Sequence, residues 1–152
     1  MTDHDGNYMI TSNKAIVLEV LKRAFVDRDP TVVKQYFGAH YKQHNPVIPD
    51  GPSAIAEMIP TLTALTYEPG RAIAEGDLVM VHGRYTGWGP KPMVAVDIFR
   101  VKDGKVVEHW DVMQEEVSPA DTASGNDMFT KTRVIGRNPE VNHGQKTMRV
   151  GW

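Results

Sequence analysis

Residues 94–114, VAVDIFRVKDGKVVEHWDVMQ, decide how this chain is read. Two apolar, alternating runs flank Asp103-Gly104, a dipeptide that accepts the positive φ angles of a tight two-residue hairpin turn. Successive side chains of a strand point to opposite faces. Val107, His109, Asp111 and Met113 are therefore expected on one face, with Val106, Glu108, Trp110 and Val112 on the other. On the incoming strand, Asp97, Phe99 and Val101 share a face opposite Ile98 and Arg100. A His and an Asp two positions apart, with a second Asp on the neighbouring strand, stand among pocket-forming hydrophobes. Polar groups are costly to bury unpaired, so such a set is either a satisfied hydrogen-bond cluster or a site of chemistry.

Outward from the hairpin, 71–74 and 78–85 read as two more strands around the turn Glu75-Gly76-Asp77. Before them the period changes. Residues 13–28, NKAIVLEVLKRAFVDR, recur at helical spacing and follow the capping residue Ser12 or Asn13. A shorter helix is expected over 31–37 after Asp29-Pro30, and a third over 52–59 after Pro52. Between them, YKQHNP at 41–46 and the prolines at 46, 49 and 52 predict a rigid loop that holds His44 and Asn45 at a pocket rim. Helices first and then a run of strands is the α+β pattern, a curved antiparallel sheet with three N-terminal helices packed on it.

At 152 residues the chain has room for one domain. Residues 1–12 read as a flexible leader, 13–130 as the domain, and 131–152 as an extension. Phe129, Val134, Ile135 and Trp152 are expected to bring that extension onto this subunit or another. A net charge of −2 lacks the basic footprint of a nucleic-acid binder. No window approaches the roughly 18 apolar residues of a membrane span, and a polar, acidic N-terminus is no signal peptide. Absence of cysteine excludes disulfides and thiolate chemistry and fits a cytoplasmic location. His44, His82 and His109 lie on separate elements without the i, i+4 spacing of a zinc helix, so no metal is expected. No serine sits on a strand-to-helix elbow.

The pieces together resemble the SnoaL-like polyketide cyclases, within the nuclear-transport-factor-2-like superfamily of cone-shaped α+β folds. The resemblance is carried by YKQHNP at 41–46, Asp50-Gly51 before a helix, Val81-His82, DIFRVKDGKVVEHWDVMQ at 97–114 and SGNDMF at 124–129. It implies a cofactor-independent lyase, isomerase or cyclase that closes rings by aldol condensation, with Asp111 as general acid/base. It also implies that Asp97 and His109 share the catalysis, while His44, Asn45, His82, Phe99 and Met113 line the substrate pocket. The substrate would be a small hydrophobic or carbonyl-containing compound. The fold also hosts epoxide hydrolases and non-catalytic binders, so a pocket protein without turnover is the alternative. A homodimer is expected, formed by the sheet face that carries Val106, Trp110 and Val112.

Overall fold

The computed structural model describes residues 12–131. All but the last residue of the leader and all but the first residue of the extension lie outside them. Helix α1, Asn13–Phe25, starts at Ser12, whose side-chain oxygen accepts the Ala15 amide hydrogen at 3.1 Å. Its apolar stripe, Ile16, Val17, Val20, Leu21 and Ala24, is buried, as the spacing predicts. The helix ends three residues before the expected boundary, because Arg28 adopts φ 52° and turns the chain. From that turn Arg28 donates to the carbonyls of Leu62, Thr63 and Leu65, tying the loop ahead of the sheet to α1.

Helix α2, Thr31–Tyr36, has only six residues. Phe37 does not continue it but opens strand β1, Phe37–Gln43. Helix α3, Pro52–Met58, begins on the expected proline and runs into a single 3-10 turn, Ile59–Thr61. Four strands complete the fold: β2, Thr66–Glu75; β3, Leu78–Thr86; β4, Met93–Lys102; and β5, Lys105–Glu115. They join β1 in one open sheet with the order β1-β5-β4-β3-β2.

Two expectations need correction. The sheet is mixed rather than wholly antiparallel, because β1 runs parallel to β5. In addition, β1 takes up part of what reads as loop. Only Phe37 and Tyr41 of its seven residues are buried, so it lacks the apolar alternation that marks a strand.

The hairpin forms as read, with Asp103 at φ 52° and Gly104 at φ 73° in its turn. Its register places Asp97 opposite Asp111, Phe99 opposite His109 and Ile98 opposite Trp110. Past Arg100 and Glu108 the register slips, and Val101 pairs with Val106. Val107 is the extra residue of this bulge, so the faces exchange beyond it. Val106 is therefore fully buried in the core and does not share the outer face with Trp110 and Val112. On that outer face Val112 is 70% and Ile73 65% exposed.

Candidate functional site

Between the inner face of the sheet and helices α1 and α3 lies a cavity of about 270 Å³. Its apolar walls include Leu21 and Phe25 of α1, Ile55 and Met58 of α3, and Trp88 of the β3–β4 loop. Phe99 and Met113, expected in the lining, are part of it. Polar side chains gather at one end, where β1, β4 and β5 lie side by side. Here Asp97 and His109 are buried, at 4% and 6% exposure, and Asp111 is half-buried. A ligand atom from each of the three lies within 4.8 Å of the others.

Hydrogen bonds define this cluster. His109 Nε2 faces Asp97 Oδ1 at 2.9 Å, and the Tyr85 hydroxyl donates to Asp97 Oδ2 at 2.6 Å. On its other side, His109 Nδ1 lies 2.7 Å from Gln43 Oε1. Asn45 Nδ2 donates to Asp111 Oδ2 at 2.7 Å. Two backbone amides settle which way the side-chain amides point. The Asn45 N–H donates to Gln43 Oε1 at 3.0 Å, and the Val47 N–H donates to Asn45 Oδ1 at 2.9 Å. An amide hydrogen needs an oxygen opposite it, so the nitrogen of Gln43 faces the Tyr41 hydroxyl (3.1 Å) and that of Asn45 faces Asp111. Burial pushes the Tyr41 and Tyr85 hydroxyls well above the usual tyrosine range, so both stay protonated at neutral pH.

This geometry suits proton transfer better than metal binding. A cation would need the Nε2 lone pair of His109, which faces Asp97, and an Asp97 carboxylate already engaged by Tyr85. Asp111 differs from Asp97. Among the described residues it is held by one donor, half-buried at the cavity, and its second oxygen is available as a proton acceptor.

The other expected pocket residues divide sharply. Asn45 lines the cavity, but His44 does not. His44 stacks on Trp110, with ring centroids 4.9 Å apart and planes within 2°, and pairs with Glu108 at 2.7 Å on the outer side. Alternation explains it, since Tyr41, Gln43 and Asn45 turn inward and the residue between turns out. His82 is likewise outside the cavity. It belongs to the Met80 and Arg84 face of β3, opposite the buried Val79, Val81 and Tyr85, and packs against Phe129 with ring centroids 5.6 Å apart. Alternation along β3 could have placed it there. Arg100 also points away, to Asp77 and Glu108, and no arginine lines the cavity among the described residues. Three polar residues of the site were missed: Gln43, Tyr41 and Tyr85. Nothing in the type or spacing of Gln43 and Tyr85 announces partners 66 and 12 positions away, and Tyr41 joins the site through Gln43.

The SnoaL-like domain model matches residues 17–109. The chain belongs to the SnoaL-like domain family. Solved structures, NTF2-like proteins among them, share the fold of this SnoaL-like chain. One is an NTF2-like protein of unknown function from Cytophaga hutchinsonii, 14% identical, TM-score 0.61, over 71% of this chain and 95% of that one. A polyketide cyclase candidate from Bacillus cereus is 20% identical, TM-score 0.54, over 66% and 75%. An LEH-like epoxide hydrolase from M. tuberculosis is 18% identical, TM-score 0.56, over 67% and 82%. At these identities the likeness shows a shared fold. No curated protein matches the SnoaL-like chain.

Proposed function

We propose that this SnoaL-like protein is a cofactor-independent acid–base enzyme acting on a small, largely apolar carbonyl compound. Aldol-type cyclisation is the reaction its residues fit best. The observation that carries the reading is the placing of an available carboxylate, Asp111, beside the hydrogen-bonded His109–Asp97 pair at one end of an apolar cavity. Asp111 removes a proton α to a carbonyl, giving an enolate. The enolate carbon bonds to a second carbonyl of the same molecule, and the resulting alkoxide takes a proton from the His109–Asp97 pair. Positioned proton transfer of this kind contributes about 10²–10⁴-fold. Isomerisation shares the first step and differs only in where the proton returns.

The cavity's volume of about 270 Å³ falls just below the roughly 300–1,000 Å³ of ligand pockets, which favours a compact substrate. Its charged side chains are two carboxylates and one imidazole, which disfavours an anionic one. A protein that only binds such a compound is the second reading, supported by the apolar character of the walls. Epoxide hydrolysis through an Asp-Arg-Asp set is disfavoured by the outward course of Arg100. The outer sheet face with Trp110, Val112 and Ile73 is the surface we propose for a homodimer.

A neutral diketone panel, screened by thermal shift and then for turnover, tests the proposal. Asp111→Asn preserves shape, removes the base, and should lower turnover about 100-fold or more while binding survives. Full turnover by that variant would remove Asp111 from the mechanism. Binding without turnover in the natural protein would leave the binding reading.

A further inference from the structure

We propose that Gln43 is a positioning residue that fixes a hydrogen on His109 Nδ1 and so obliges the His109–Asp97 pair to hold one more proton. The argument starts from a backbone amide. The Asn45 N–H can only donate, so the Gln43 atom 3.0 Å away is the carbonyl oxygen. The same oxygen meets His109 Nδ1 at 2.7 Å and can only accept, so Nδ1 carries a hydrogen. A neutral imidazole with its hydrogen on Nδ1 presents a lone pair from Nε2. At 2.9 Å that lone pair would oppose an ionised Asp97 Oδ1. One proton between them resolves the conflict, as an imidazolium–carboxylate or an imidazole–carboxylic acid pair.

Other groups facing the ring are consistent with this assignment. Tyr85 donates to the far oxygen of Asp97, leaving Oδ1 for His109. Tyr41 accepts from Gln43 Nε2, which frees its own hydrogen for another acceptor. Asp111 is engaged by Asn45, and Asp50 accepts the Gln43 backbone N–H at 2.7 Å, anchoring the residue from the loop side. Helices α1 and α3 bring only apolar side chains to the cavity. Gln43 acts on the reaction through His109. With Nδ1 blocked, the mobile proton lies at Nε2, beside Asp97 and Asp111.

The catalytic consequence rests on the function proposed above, but the test needs no substrate. Nitrogen-15 spectra of the ligand-free full chain, with His109 signals assigned by their loss in His109→Gln, report which ring nitrogen carries hydrogen. The natural protein should show hydrogen on Nδ1 at neutral pH. Gln43→Met keeps the volume and removes the acceptor, so the Nε2–H neutral form should gain at least about fivefold in population, the worth of one hydrogen bond. Gln43→Glu restores an acceptor and should retain hydrogen on Nδ1. Hydrogen on Nε2 alone in the natural protein would overturn the proposal, as would a Gln43→Met spectrum unchanged from it. Should Gln43→Met fail to fold, the natural protein and Gln43→Glu still decide: Nδ1–H in both supports the proposal, and its absence from either overturns it.

Discussion

Replacing His109 by Phe isolates what holds a carboxylate inside this apolar cavity. Asp97 is 4% exposed and touches two hydrogen-bonding partners, His109 and Tyr85. Without the imidazole, the Asp97 carboxylate keeps one hydrogen-bond donor and no counter-charge in an apolar cavity. Breaking a buried pair by removing one partner costs about 3–5 kcal/mol. Typical domains have only about 5–15 kcal/mol in total. His109→Phe should therefore remove a large share of the stability. Asp97→Asn added to it should restore most of the loss, because an amide accepts from Tyr85 without carrying charge. Urea unfolding at pH 7 measures both variants. A cost no larger than the roughly 1 kcal/mol of a single neutral hydrogen bond, or a double variant no more stable than His109→Phe, would refute the account of Asp97.

Two further outcomes follow from groups whose pKa is displaced. Tyr41, Tyr67 and Tyr85 are buried, and desolvation pushes each hydroxyl up. Three of the five tyrosines should thus ionise only as the protein unfolds, with stability falling as pH rises beyond about 10; tyrosinate absorbance against circular dichroism checks it. Asp29 is held down to about 2 by hydrogen bonds from Thr31 and Arg23, which link α1 to α2. Its contribution is present above about pH 4 and disappears as pH falls through about 2, so Asp29→Asn should flatten the acid limb of the melting-temperature profile.

Where the sequence could be read and where it could not separates along physical lines. The hairpin was legible because its turn chemistry and period-two pattern agree, and the facing of Asp97, His109 and Asp111 followed from alternation alone. Val106 was not, because a bulge is one extra residue with no residue type of its own. Strand β1 was hidden for a related reason. A parallel edge strand needs no hairpin partner in sequence, and FGAHYKQ buries too few side chains to show a period. His44 was assigned to the pocket by its rigid loop and by resemblance, and His82 by resemblance; alternation carried one residue past β1 turns the first outward, and alternation within β3 the second.

The position of β1 also explains why the site is where it is. Running parallel beside β5, it sets Gln43 opposite His109 in register and carries the chain directly on to Asn45. One short segment thus orients both functional groups of β5, His109 through Gln43 and Asp111 through Asn45. Most residues of the segment are poor core material, and its burial alone contributes little to stability. Its hydrogen bonds instead fix which atoms in the cavity donate and which accept. An apolar pocket would be more stable without them, since buried polar groups cost free energy even when satisfied. Their concentration at one end of the cavity, with every side-chain amide orientation set by a backbone N–H, is the pattern expected of a preorganised reaction site rather than of a packing solution.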